Sequence, residues 1–135
     1  MKDLKLIPQK KSSLLNISMP AENVWTFLFS NNISVNLECP WRLTDSDSII
    51  LTNLDHGQIF GFKEKIDCVD ELKNFLKNTT LKSIVISPKI ADINILFENN
   101  LSLECFANSS GYESWGINFN DKKYICVGGG ELNIY

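Results

Sequence analysis

The chain has a single histidine, His56, and a single arginine, Arg42, among its 135 residues. Hydrolytic, nucleolytic and metal-dependent chemistry relies on histidine, clustered carboxylates, a cysteine–histidine pair or a phosphate-binding glycine loop, and no such set is recognisable. Binding to a nucleic-acid backbone needs clustered Lys and Arg, but the net charge is −3 and the pI is near 5.1. These shortages favour a binding protein without catalytic residues and argue against nucleic acid as its partner.

Paired cysteines and long apolar runs are missing as well. No Cys-x-x-Cys motif is present, so we expect no metal site and no cofactor. Alternating spacing places Cys39 and Cys105 on the buried faces of strands, which favours buried free thiols over disulfides. No run approaches 18 apolar residues and no secretory signal opens the sequence, so we expect a cytoplasmic protein without membrane contact.

The apolar content of 44% suits one compact domain over residues 1–135. Most of the chain shows period-two alternation, which predicts half-buried antiparallel strands. Asn-rich or acidic turns join several of them into hairpins, and the carboxy-terminal half reads as a meander of neighbouring strands. The predicted strands cover residues 24–29, 33–39, 41–43, 48–51, 59–62, 81–86, 93–97, 101–106, 115–119 and 124–127.

One segment, residues 67–77, shows helical periodicity. Asp67 suits the N-cap, and an apolar stripe recurs at spacings of three and four residues, formed by Val69, Leu72, Phe75 and Leu76. We expect the stripe to cover one face of the sheet. The predicted class is therefore α+β, with a mostly antiparallel, curved or split sheet and one packed helix.

Three short motifs carry candidate functional residues. The run Asp55-His56-Gly57-Gln58 is typical of a polar turn in which His56 is not a catalytic base, with a partner-binding or general-base role as the alternatives. If His56 is exposed, we expect its replacement by alanine to change the stability by no more than about 0.5 kcal/mol. The segment 109–115 lacks the spacing of a nucleophile elbow, so we interpret it as a tight loop whose Tyr112 anchors a partner. Gly128-Gly129-Gly130 precedes too little chain for a nucleotide-binding helix and is interpreted as a bend in the final strand.

Acidic residues are concentrated between residues 45 and 71. Such a concentration is either an ordinary solvated face or an electrostatic surface for a basic partner. On the second interpretation, the expected partner contacts are Asp45, Asp47, Asp55, His56, Glu64 and Tyr112.

Taken together, Trp41, the Asp55–Gln58 turn, the Ser109–Trp115 loop and the closing Gly128–Leu132 segment resemble a family of small bacterial proteins, over roughly residues 39–132. Some members of that type lie in polymorphic toxin and contact-dependent inhibition loci, where small acidic proteins serve as immunity proteins. The resemblance implies an immunity protein that neutralises a cognate toxin domain, for which we expect a nuclease. It brings no catalytic residues with it.

Two alternatives stay open. In one, Asp55, His56, Gln58, Tyr112 and Glu113 converge in a cleft and form a small hydrolase or ligand-binding site. In the other, the chain is a structural subunit of a larger assembly.

Overall fold

A computed structural model describes residues 2–135. It contains twelve strands and one α-helix, and all the pairings are antiparallel, which confirms the predicted α+β class. The elements are β1 (Leu4–Leu6), β2 (Leu14–Ala21), β3 (Val24–Phe29), β4 (Ile33–Leu37), β5 (Trp41–Thr44), β6 (Ile49–Thr52), α1 (Cys68–Leu76), β7 (Leu81–Ile86), β8 (Ile93–Phe97), β9 (Ser102–Cys105), β10 (Trp115–Phe119), β11 (Lys122–Val127) and β12 (Glu131–Ile134).

The strands form two six-stranded sheets, in the orders β1-β7-β8-β9-β5-β6 and β12-β11-β10-β4-β3-β2. The two sheets pack face to face around one continuous core. Trp25 of β3 meets Trp41 of β5 edge to face with ring centroids 5.2 Å apart, and Phe29 of β3 lies 6.3 Å from Phe97 of β8. Of the two predicted arrangements, a curved sheet or a split one, the structure has the split one.

The strand register divides the sandwich into two ends. At one, which we call the hairpin end, short turns join the strands: residues 30–32, 45–48, 98–101 and 120–121. At the other, which we call the loop end, longer segments leave the sheets: residues 53–67, 87–92, 106–114 and 128–130. The expected hairpins are present, and the expected meander is divided between the two sheets. Strands β7-β8-β9 and β10-β11-β12 are each neighbours in chain order, but β9 pairs with β5 while β10 pairs with β4 of the other sheet.

The helix begins and ends within a residue of its predicted bounds. The carboxylate of Asp67 accepts hydrogen bonds from the amides of Val69 and Asp70, as an N-cap does. The helix does not cover a sheet face. It contacts the edge strand β2, and the Cys68 thiol donates to the carbonyl of Thr52 at the end of β6, the edge strand of the other sheet. The helix therefore closes one open side of the sandwich.

Two further expectations need correction. Residues 59–62 form a turn in an exposed loop instead of a strand. In the helical stripe, Leu72 and Leu76 are buried, but Phe75 is 38% exposed. The four cysteines are buried and free, as expected. Burial raises the pKa of the Cys39 and Cys68 thiols to about 12, so these sulfurs are poor nucleophiles.

Candidate binding site

The segment between β6 and α1 contains a loop, residues 57–66, that we call the aromatic loop. Two hydrogen bonds close its base: the amide of Gly57 donates to the carbonyl of Ile66 over 2.8 Å, and the amide of Ile66 donates to the carbonyl of Gln58 over 2.8 Å. At the tip, the amide of Phe62 donates to the carbonyl of Ile59. The two central residues of that turn have φ angles of +46° and +82°, the combination typical of a type I′ turn.

The tip of the aromatic loop presents apolar side chains to solvent. Phe60 is 64% exposed, Phe62 is 66% exposed and Ile59 is about half exposed. Phe60 also adopts a positive φ, which a bulky residue other than glycine rarely does and which concentrates at functional sites. Single exposed apolar residues are ordinary on a protein surface, but three within four positions of one loop form a patch.

Beside this patch lies a groove of about 690 Å³, which we call the aromatic groove. The aromatic loop, strand β6 and helix α1 form its walls. Apolar side chains make up about half of its lining, and three carboxylates and two ammonium groups complete it. The lining residues are Ile50, Leu51, Asp55, Phe60, Phe62, Lys63, Glu64, Lys65, Ile66, Glu71 and Phe75.

Asp55 and His56 hold the base of this groove in place. The Asp55 carboxylate accepts a 2.8 Å hydrogen bond from the amide of Thr52, which closes a 3₁₀ turn after β6. His56 Nδ1 accepts a 3.1 Å hydrogen bond from the amide of Cys68, the first residue of α1. The imidazole also stands edge to face against Trp25, with 5.5 Å between ring centroids. Because Nδ1 accepts, this arrangement assigns the neutral ring with its proton on Nε2.

This geometry changes the expectation for His56. An exposed histidine in a polar turn is replaceable at little cost, but His56 is only partly exposed and satisfies an otherwise free amide of a helix N-terminus. It therefore positions α1 relative to β3, and a contact with a partner through His56 remains a prediction.

Asp45 and Asp47 lie at the hairpin end, beyond the other end of β6. The Asp45 carboxylate accepts 2.9 Å hydrogen bonds from the amides of Asp47 and Ser48, and these bonds hold its pKa below the usual range for aspartate. Asp45 and Asp47 line a shallow groove of about 310 Å³ together with Glu104, which forms an ion pair with Arg42. Their surface is separate from the aromatic groove.

Tyr112 belongs to a third region, the loop 106–114 at the loop end. The Ser109 hydroxyl accepts hydrogen bonds from the amides of Gly111 and Tyr112, and the amide of Gly129 donates to the carbonyl of Ser109. A Cβ on Gly128 would lie 2.8 Å from backbone atoms of Ser110 and Gly111, so only glycine fits there. The serine loop and the glycine segment are therefore one packed unit, and it presents Tyr112 with 83% of its surface exposed.

Of the six predicted contacts, the structure brings Asp55 and Glu64 into the aromatic groove and Asp45 and Asp47 into the shallow groove at the hairpin end. His56 supports the base of the aromatic groove without lining it, and Tyr112 lies in the third region. The cleft proposed for a hydrolase does not gather its residues either, because Asp55 lines the aromatic groove while Glu113 lines a separate depression on the second sheet. Within residues 2–135, no group of three or more potential metal ligands is found.

Sequence reasoning missed the apolar part of the aromatic groove, which is formed by Ile50, Leu51, Phe60, Phe62, Ile66 and Phe75. One signal was present: Ile59-Phe60-Gly61-Phe62 has no alternating polar residue, so its apolar side chains cannot all face one core. A glycine at its centre and another just before it also favour a turn.

A scan against protein-family models, a search of curated proteins and a search of solved structures each found no match. The resemblance drawn from the sequence motifs therefore rests on those motifs alone. In the described part of the chain, no helix has the length and apolar character needed to cross a membrane.

Proposed function

We propose that this protein binds and neutralises a cognate toxin domain, a nuclease by our expectation, and does so by covering the toxin's active site or substrate path. Such an inhibitor needs complementarity and no chemistry of its own. The proposal places it in the cytoplasm, where an incoming nuclease would reach its substrate. The motif resemblance suggests a toxin domain as the partner, and the aromatic groove is the surface that we propose binds it.

The exposed aromatic loop beside the aromatic groove is the observation that carries this proposal. Aromatic side chains dominate the binding energy of protein interfaces when they enter a partner's pockets at the centre of the contact. Phe60 and Phe62 are exposed here on a turn whose base is hydrogen-bonded, so little ordering is required on association. A loop of this kind supports a binding role better than the scattered carboxylates do.

The charges around the groove support a basic partner. Asp55, Glu64 and Glu71 line it against Lys63 and Lys65, and the whole chain carries a net charge of −3. The substrate path of a nuclease is positively charged because it holds phosphates. Carboxylates at the edge of an aromatic contact steer association with such a surface and fix its orientation.

The test is co-expression with the toxin domain encoded by the neighbouring gene. We expect the two proteins to co-purify and the inhibitor to restore growth. The double variant Phe60→Ser/Phe62→Ser is expected to lose protection while staying folded, because both side chains are exposed. Ile7→Ser, at a residue that is 62% exposed and lines neither the aromatic groove nor its loop, is the matched control and is expected to protect fully. Failure of the wild-type pair to associate at micromolar concentration would overturn the proposal.

A further inference from the structure

The outer face of the second sheet has a depression centred on Gly116, the second residue of β10. Gly116 lies between Asn36 of β4 and Ile125 of β11 in the register of the sheet. Nothing lies within 4 Å of the position that a Cβ would occupy on Gly116, and Gly116 is one of the residues that line a depression of about 170 Å³. This surface lies on the opposite side of the sheet from the core.

The fold gives no reason for a glycine at this position. Gly116 does not have the positive φ that favours glycine, and no neighbouring atom excludes a side chain, in contrast to the crowding around Gly128. Glycine in a strand interior weakens the strand and often marks a site that another group approaches closely. Neither backbone conformation nor crowding within the protein therefore accounts for Gly116.

The chemistry of the lining indicates what that occupant is. Glu38 and Glu113 line the depression, and within residues 2–135 neither carboxylate forms an ion pair or a side-chain hydrogen bond. Lys123 also lines it but pairs with neither of them. The side chains of Asn36 and Asn118 are already hydrogen-bonded to Thr26 and Ser34 respectively. The two carboxylates are thus the acceptors available to a ligand.

We propose that the depression binds an arginine side chain of the protein partner. A planar guanidinium fits against the bare peptide backbone of Gly116 and donates to the carboxylates of Glu38 and Glu113, a geometry that an ammonium group does not match. The inference rests on the proposed function only in taking the partner to be a protein.

The experiment is a titration of the isotope-labelled protein with the peptide acetyl-Gly-Arg-Gly-amide, monitored by amide chemical shifts. We expect saturable shifts centred on Asn36, Gly116 and Ile125, and none with the matched peptide in which the uncharged analogue citrulline replaces arginine. Gly116→Val, which fills the depression with a residue that strands favour, is expected to weaken binding at least tenfold while leaving the fold intact. The pair Glu38→Gln and Glu113→Gln is expected to do the same.

Two controls separate this site from a general effect. Ser18→Val adds the same side chain to the outer face in the same row of the sheet, three strands from Gly116, and is expected to bind the peptide like the wild type. Glu98→Gln removes a carboxylate at the hairpin end and is also expected to have no effect. Absence of saturable shifts, shifts centred on the aromatic loop, or equal binding by Gly116→Val would overturn the inference. Failure of the toxin domain to bind would overturn the proposed function and leave the peptide result standing.

Discussion

The turn at residues 45–48 and the aromatic loop at residues 57–66 flank the same edge strand, β6, and differ in how they use their side chains. In the turn, the Asp45 carboxylate closes its own backbone. In the loop, hydrogen bonds between backbone groups hold the two ends of the segment together. The side chains of Phe60 and Phe62 take no part in closing it and remain exposed. The carboxylates of a charged cluster can therefore be engaged in local hydrogen bonds, whereas exposed aromatic residues on a closed loop have no partner within the protein.

The largest expected effect comes from removing the support of the aromatic loop. Leu72 is fully buried on the side of α1 that faces the core. We expect Leu72→Ala to lower the free energy of unfolding by about 2–5 kcal/mol, because it removes buried apolar surface and leaves a cavity. Urea denaturation measures this value. The exposed neighbour Lys73 is the control, and Lys73→Ala is expected to stay within about 0.5 kcal/mol of the wild type. A loss below about 1 kcal/mol for Leu72→Ala would show that the helix is not anchored as described.

The next effect is a loss of affinity for the toxin domain that leaves the free energy of unfolding unchanged. Phe60→Ser/Phe62→Ser is expected to weaken binding to the toxin domain about 100-fold, equivalent to about 2.7 kcal/mol, and mainly by faster dissociation. Calorimetric titration and surface-binding kinetics measure the two quantities. A drop in the free energy of unfolding that matches the loss of affinity would mean that Phe60 and Phe62 support the fold instead of being free for a partner.

Replacing His56 is expected to have a smaller effect on stability. His56→Ala leaves the amide of Cys68 without its acceptor, and the loss of a capping interaction typically costs about 1 kcal/mol. His56→Asn keeps a side-chain acceptor near the position of Nδ1 and is expected to recover part of that loss. Thermal and urea unfolding give both values. If His56→Ala lowers the free energy of unfolding by less than about 0.5 kcal/mol, His56 is an ordinary turn residue and does not stabilise the start of α1.

The smallest effect is expected at the turn. Asp47 is exposed and its side chain closes no turn, so Asp47→Lys changes the charge without removing an acceptor that the turn uses. We expect the association rate constant with a basic partner to fall severalfold and to depend less on salt, with dissociation unchanged, as is usual for a charge at the rim of an interface. Asp3→Lys makes the same change of charge at a position away from the turn and is the control. If Asp47→Lys accelerates dissociation instead, the turn belongs to the centre of the interface.

Much of the fold follows from local patterns. Alternation predicts the paired strands β3 and β4, and the stripe with its Asp67 cap predicts α1, because hairpins and helices close within short stretches of chain. The division into two sheets depends on long-range pairings such as β5 with β9, which no local pattern encodes. Strands β1 and β2 went unpredicted. β2 is an edge strand with Pro20 near its end and two register shifts, so its sequence lacks clean alternation.

The candidate site was less predictable than the fold. The carboxylates of Asp45 and Asp55 are visible in the sequence, but their use in closing turns appears only when the amides of Ser48 and Thr52 are placed beside them. The apolar side chains of the aromatic loop read as a strand because four apolar or small residues in succession resemble a buried segment. Only the packed structure shows that Phe60 and Phe62 remain exposed.

Hydrogen–deuterium exchange of the protein, free and bound to the toxin domain, would locate the binding surface. We expect binding to slow exchange of the amides at residues 57–66 and in the first turns of α1, while exchange in the turn at residues 45–48 changes little. Slower exchange at residues 45–48 with no change in the aromatic loop would contradict this expectation.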